Sequence, residues 1–167
     1  LGPAVLDGMA RGLSPAAAIE GALAGDEGKG LRQIHAVDRH GRSAAFTGRH
    51  CVEWCGEITG ADVSVAGNML AGKAVLADTY AAFVAGSGLP LAERLLDALD
   101  AGEAAGGDRR GRQSAALVLT TTEDFPDLSI RVDDHAQPLV ELRRLHRLWS
   151  AQRAPYLREQ PSKAHPP

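Results

Sequence analysis

Arg32-Gln33-Ile34-His35-Ala36-Val37-Asp38-Arg39-His40-Gly41-Arg42-Ser43-Ala44-Ala45-Phe46-Thr47 carries the pattern that decides the fold class. Residues 32–37 alternate polar and apolar, as a half-buried strand does. Asp38-Arg39-His40-Gly41 supplies turn chemistry, with Gly free to take a positive φ, and residues 43–47 form the return strand. A hairpin requires antiparallel pairing, so a parallel doubly wound sheet is disfavoured from the start.

Toward the N-terminus, Gly2-Pro3-Ala4-Val5-Leu6 reads as a first helical turn with Pro at an early position. Ser14-Pro15 restarts a helix that runs through Ala-rich sequence to Leu23. Residues 25–30 are a loop. On the other side, residues 48–60 read as irregular, and residues 63–68 as a short strand that enters a tight turn. Apolar residues at helical spacing mark helices over 73–84 and 89–103, joined so tightly at Gly86-Ser87-Gly88 that they must be neighbours. Residues 114–121 and 128–132 are strands around a Phe125-Pro126-Asp127 turn. Pro138 opens a last helix whose stripe is Leu139, Leu142, Leu145 and Trp149. From Pro155 onward a Pro-rich, polar composition predicts a disordered tail, so the folded domain is expected to span residues 1–152. Hairpins between pairs of helices predict an α/β (α+β) protein, a sandwich of two sheets between helical layers.

Composition sets the outer limits. The chain has 167 residues, enough for one core. Aromatic residues are 4% of it, too few to line a stacking surface for single-stranded nucleic acid. The net charge of −3 gives no general attraction to DNA or anionic lipid, and no apolar run is long enough to span a bilayer. Cys51 and Cys55 do not have the C-x-x-C spacing of metal pairs, nor the numbers of a disulfide framework. Even with His50 and Glu53 nearby they are expected to be reduced thiols, which points to a cytoplasmic protein with no metal and no cofactor.

The densest chemistry lies in Gly106-Gly107-Asp108-Arg109-Arg110-Gly111-Arg112-Gln113-Ser114. An Arg can grip a carboxylate or phosphate with two parallel bonds, and a neighbouring Asp can orient it. A charged, solvated turn explains the same residues. The glycines do not spell a phosphate loop, since no G-x-x-x-x-G-K-[ST] is present. Asn68, after Gly67, is either a turn former or an amide donor to an oxyanion. Asp133-Asp134-His135 reads as a helix-entry turn capped by Asp134 or Gln137, and His35 as a tolerated strand residue. Alternation along residues 109–112 would send Arg110 and Arg112 to one side and Arg109 to the other. Asp108 and Arg110 are expected to form a buried or half-buried pair.

Three segments together resemble a bacterial family known as domain of unknown function 1028. They are Ala66-Gly67-Asn68-Met69-Leu70, the stretch from Ala105 to Leu117, and Arg131-Val132-Asp133-Asp134-His135. Ala45-Phe46-Thr47-Gly48 and Glu141-Leu142-Arg143-Arg144-Leu145 agree with them. The resemblance implies the N-terminal nucleophile (Ntn) hydrolase superfamily and its four-layer αββα sandwich. Enzymes of that kind use the first residue of the mature chain as nucleophile, with its own amino group as base. Leu1 has no nucleophilic atom. The resemblance therefore implies further strands and the nucleophile ahead of Leu1, or supplied by another chain, and a chain that is incomplete as a folding unit.

The reading that results is an Ntn-type amidohydrolase for a small polar or anionic amide. In it Asn68 and Asp108 are catalytic, and Arg110, Arg112, Gln113 and Ser114 bind substrate. The alternative is a non-catalytic ligand-binding or assembly protein that keeps the fold. Either would bind a small anionic or amide ligand and would associate with itself or with a preceding segment.

Overall fold

The computed structural model describes residues 1–161 and 163. It is a mixed α/β fold built from helices and three small antiparallel sheets of two strands each. Helix α1 (Gly2–Ala10) is followed by α2 (Pro15–Leu23), where Ser14 Oγ accepts the Ala17 N–H at 3.2 Å and Pro15 occupies the first turn. The hydroxyl satisfies an N–H that the helix cannot, and Pro lacks one to satisfy.

Strands β1 (Gln33–Val37) and β2 (Ser43–Thr47) pair antiparallel, from Gln33 opposite Thr47 to Val37 opposite Ser43. Asp38 closes their turn by accepting the N–H groups of His40 at 2.9 Å and Arg42 at 3.0 Å, while Gly41 takes φ +75°. Because side chains alternate across a strand, Ile34, Ala36, Ala44 and Phe46 face one way. They pack on Val5, Ala18, Ile19 and Leu23 of the two helices. Gln33, His35, Ser43 and Thr47 face the other way, onto a second hairpin.

That hairpin contains an element the sequence conceals. Residues 56–60, expected to be irregular, form β3 (Gly56–Gly60), paired with β4 (Val63–Gly67). Glycine at both ends and polar Glu57 and Thr59 between them leave Ile58 as the sole large apolar residue, too little for a period to register. The polar side chains point at the first hairpin. Gln33 Nε2 donates to the carbonyls of Gly56 at 3.0 Å and Gly67 at 2.9 Å. Ser43 Oγ donates to the Gly60 carbonyl at 2.7 Å, His35 Nδ1 lies 3.0 Å from Ser64 Oγ, and Thr47 Oγ1 donates to Glu57. His35 is thus part of the seam between the hairpins rather than an isolated strand residue.

The other side of this hairpin packs on helix α3 (Lys73–Ala85), which lies against α4 (Leu91–Ala104) around Phe83, Ala98, Val63 and Tyr80. The Arg94 guanidinium sits 3.6 Å from the Phe83 ring centre, a cation–π contact that covers an otherwise open aromatic face. A third hairpin, β5 (Ala115–Leu119) with β6 (Leu128–Val132), precedes α5 (Pro138–Leu148). Leu117, Leu128 and Val132 enclose a core with Leu96 of α4 and Leu142 of α5. Arg143 fastens the two helices through Asp97 at 2.6 Å and Asp100 at 2.5 Å.

Helical structure continues past α5 through a π turn, Trp149–Arg153, into α6 (Ala154–Arg158). The tail expected from Pro155 therefore begins as helix. Pro155 falls in the first turn of α6. Residues 162 and 164–167 of that tail lie outside the described residues. Among the described residues no helix is long and apolar enough to cross a membrane.

Candidate functional site

The chain leaves α4 through two glycines in the left-handed region, Gly106 at φ +119° and Gly107 at φ +54°, a conformation that penalises any side chain. Their N–H groups return to the carbonyls of Glu103 and Gly102 at 3.0 Å each, which closes the helix end. The chain then runs antiparallel to residues 69–71. Ala71 N–H donates to Gly107, Arg109 N–H donates to Met69, and Leu70 bridges Asp108. This short bridge holds Asp108 in place.

Asp108 organises the residues after it. Its Oδ1 accepts the Arg110 N–H at 2.8 Å and Nε at 2.9 Å, and its Oδ2 accepts Nη2 at 2.6 Å. The Gly111 N–H returns to the Asp108 carbonyl at 2.9 Å, with Gly111 at φ +101°. Residues 108–111 are thus a turn, where sequence alternation suggested an extended run. An Asp side chain that captures an N–H two residues on favours this geometry. Arg112 Nη1 then reaches Glu103 at 2.7 Å and its Nε reaches the Ala136 carbonyl at 3.2 Å.

Arg110, Arg112, Gln113 and Ser114 all line one cavity of about 640 Å³, together with Asp108, Glu103 and Thr79, over apolar walls that include Leu70, Leu76 and Leu99. Arg109 does not line it. The separation of Arg109 from its two neighbours holds, though a turn rather than a strand produces it. The Gln113 and Ser114 side chains make no hydrogen bond among the described residues, which leaves their polar atoms available to a ligand.

Two expectations about the site need correction. The Asp108–Arg110 pair stands on the rim: the Arg110 side chain is 64% exposed and that of Asp108 is 28% exposed. The pairing is present, but water reaches the guanidinium, so the large penalty of breaking a buried pair does not apply. Nor is Asn68 among the residues that line this cavity. At the end of β4 it faces the first hairpin, and its Nδ2 donates to Gln33 Oε1 at 3.0 Å. Asn68 therefore belongs to the seam between the hairpins, and Asp108, Arg110, Arg112, Gln113 and Ser114 to the cavity.

Sequence reading missed Gln33 and Glu103. Gln33 lies in an ordinary alternating strand, and only the second hairpin gives it its role. Glu103 had a visible signal, a carboxylate at a helix end next to the Gly-Gly that turns the Arg cluster back toward it. The helix-entry turn at residues 133–137 is present, but α5 has no side-chain cap. His135 Nδ1 accepts the Gln137 N–H at 3.0 Å, and neither Asp134 nor Gln137 caps α5 with its side chain. Cys51 and Cys55 are free thiols whose Sγ atoms lie 3.3 Å from the Arg32 carbonyl and 3.7 Å from the Cys51 carbonyl. Burial pushes the Cys55 thiol up from its ordinary pKa.

The Arg110 guanidinium, bonded to both carboxylate oxygens, lowers the Asp108 pKa from its ordinary 3.8 to about 2. A carboxylate held down in the folded state stabilises it above the unfolded pKa and loses that contribution as the pH falls through the folded one. The melting-temperature difference between wild type and Asp108→Asn should therefore be positive and constant from neutral pH down to about 4, then vanish toward about 2. It should be small, because the guanidinium is well solvated. A difference that persists to the acid limit would remove the ion pair as its source.

Comparison with known proteins places these features. The family described as "Family of unknown function (DUF1028)" matches residues 1–142. The crystal structure of protein SPO2555 from Silicibacter pomeroyi, assigned to the same family, superposes with a TM-score of 0.87 at 33% identity. The match covers 98% of this chain and 73% of that one. No curated protein matches the chain.

Proposed function

Since the chain belongs to the DUF1028 family, whose function is unknown, we propose from its own geometry that it binds a small polar or anionic molecule in the cavity beside Asp108 and Arg110. The observation that carries this reading is the Asp108–Arg110 fork, two parallel bonds at 2.9 and 2.6 Å. The carboxylate fixes the plane of the guanidinium in advance, so less freedom is lost when a ligand carboxylate or amide oxygen meets its remaining donors. Arg112, Gln113 and Ser114 line the same cavity and add a second guanidinium and two neutral hydrogen-bonding groups.

A thermal-shift screen of small carboxylates, primary amides and their neutral analogues tests it. Anionic amides should stabilise the protein most. Arg110→Lys should weaken that binding about tenfold, because an ammonium keeps the charge but loses the planar fork. Equal stabilisation by neutral compounds, or an unchanged Lys variant, would leave only a charged turn.

A second reading adds chemistry to the binding: Ntn-type amide hydrolysis on a four-layer αββα sandwich. What supports it is the packing order, with α1 and α2 on the first hairpin, that hairpin on the second, and α3 and α4 beyond. The resemblance of the residue 105–117 stretch adds to it. In this reading Asp108 assists the attack on the amide from the edge of the cavity. Mass spectrometry of the best stabilising amide after incubation separates the readings, since hydrolysis yields the free acid and amine and simple binding returns the amide intact.

A further inference from the structure

A second cleft lies at the opposite end of the first hairpin from its Asp38 turn. It is about 560 Å³ in volume and lies between the loop that precedes β1 and the loop that leaves β2. The two loops are locked to each other through backbone. His50 N–H donates to the Gly30 carbonyl at 2.7 Å and Gly48 N–H to the Arg32 carbonyl at 2.8 Å. The contact is so close that a Cβ at Gly48 would collide with the Gly30 oxygen. The His50 ring rests on Gly30, where a Cβ would come within 2.9 Å of Nδ1. The cleft walls are therefore fixed before anything enters.

Its chemistry differs from that of the first cavity. There each guanidinium already has a carboxylate, Arg110 with Asp108 and Arg112 with Glu103. Here Lys29, Arg49 and His50 line the opening, and none of the three pairs with a carboxylate among the described residues. Glu27 also lines it, likewise without an ion pair among them. Phe46 and Leu31 line it as well, and Leu31 is left 67% exposed. Lys29 and Arg49 outnumber Glu27, and beside exposed apolar surface they are complementary to a molecule with one anionic group and a hydrocarbon body.

We infer that this cleft is a second binding site, distinct from the Asp108–Arg110 cavity, for a small amphiphilic anion. The anionic group, a carboxylate or a phosphate, sits among Lys29, Arg49 and His50, and the apolar body covers Leu31 and Phe46. The two parts contribute different terms: the basic side chains orient through charge, and the apolar residues add burial in proportion to chain length.

Titration of the full chain with octanoate and with octyl phosphate tests this, followed through the His50 ring signals in ¹H–¹³C NMR and assigned by their loss in His50→Gln. Both probes should shift those signals saturably, whereas inorganic phosphate, which has no tail, and octanol, which has no charge, should bind at least about tenfold more weakly. Lys29→Glu and Arg49→Glu should each weaken octanoate about tenfold or more, and Leu31→Ser should reduce the advantage of octanoate over acetate. Arg110→Lys should leave the titration unchanged, which separates this site from the first cavity. Absence of a saturable shift, equal binding of headgroup and amphiphile, or charge-reversal variants that bind as wild type would each overturn the site.

Discussion

Gly48→Ala is expected to destabilise the protein by roughly 3 kcal/mol or more, the upper range for forcing atoms into a packed interior. The added methyl would overlap the Gly30 oxygen and lie 2.5 Å from both the Gly30 carbonyl carbon and the Lys29 oxygen. All three are backbone atoms, so no rotamer change relieves the overlap. The loops would have to part, which would break the Gly48–Arg32 and His50–Gly30 hydrogen bonds. Two other glycines isolate the cause. Gly111 has open space but φ +101°, so alanine there should cost about 1 kcal/mol through conformation alone. Gly72 has open space and an extended φ of 170°, so alanine there should be neutral to within about 0.5 kcal/mol. Urea denaturation of the three variants should rank them Gly48, Gly111, Gly72; equal midpoints for Gly48→Ala and Gly72→Ala would show that the two loops do not meet.

The other large effect belongs to Leu142. Its side chain is 0% exposed, as is that of Leu128, and both lie in the core that joins the third hairpin to α4 and α5. Leu142→Ala should cost about 3–4 kcal/mol, the lost transfer energy of the side chain plus the cavity it leaves. That is a large part of the ~5–15 kcal/mol that holds a domain together. Val140, two residues earlier on the same helix and 60% exposed, is the control. Val140→Ala should change stability by less than about 0.5 kcal/mol. Comparable losses from both would mean that α5 packs through a different face.

The parts of the fold that were legible in sequence are those in which one face is apolar. β6 is found at residues 128–132 as read, because Leu128, Ile130 and Val132 alternate with Ser129 and Arg131. The first hairpin deviates by a residue at most, for the same reason, and α3 ends one residue later than expected. β3 was invisible because its outward partner is a polar hairpin, so hydrogen bonds rather than hydrocarbon define it. The cavity residues 108–114 could be selected by their density of charge and glycine. Their exposure could not, since the same Asp-x-Arg spacing serves a buried fork or a rim turn, and only Gly111 at positive φ decides between them. Asn68 illustrates the converse: its amide chemistry was evident, while its partner, Gln33, lies 35 residues away. The Lys29, Arg49 and His50 cleft left no local signature, because it joins two loops on either side of a hairpin.

The seam between the two hairpins has a thermodynamic consequence. Apolar contacts among the buried residues fall into separate clusters, and that of α1, α2 and the first hairpin shares no residue with the other two. What joins it to the rest is largely Gln33, Ser43, His35 and Thr47 making directional bonds. Opening such a seam exposes polar surface, which lowers heat capacity where apolar exposure raises it. Separation of the N-terminal unit is therefore a low-ΔCp event that urea and salt affect differently from global melting. Hydrogen exchange should accordingly resolve two cooperative units, one of helices and hairpin that separates along the hydrogen-bonded face and a second that holds the Arg110 cavity.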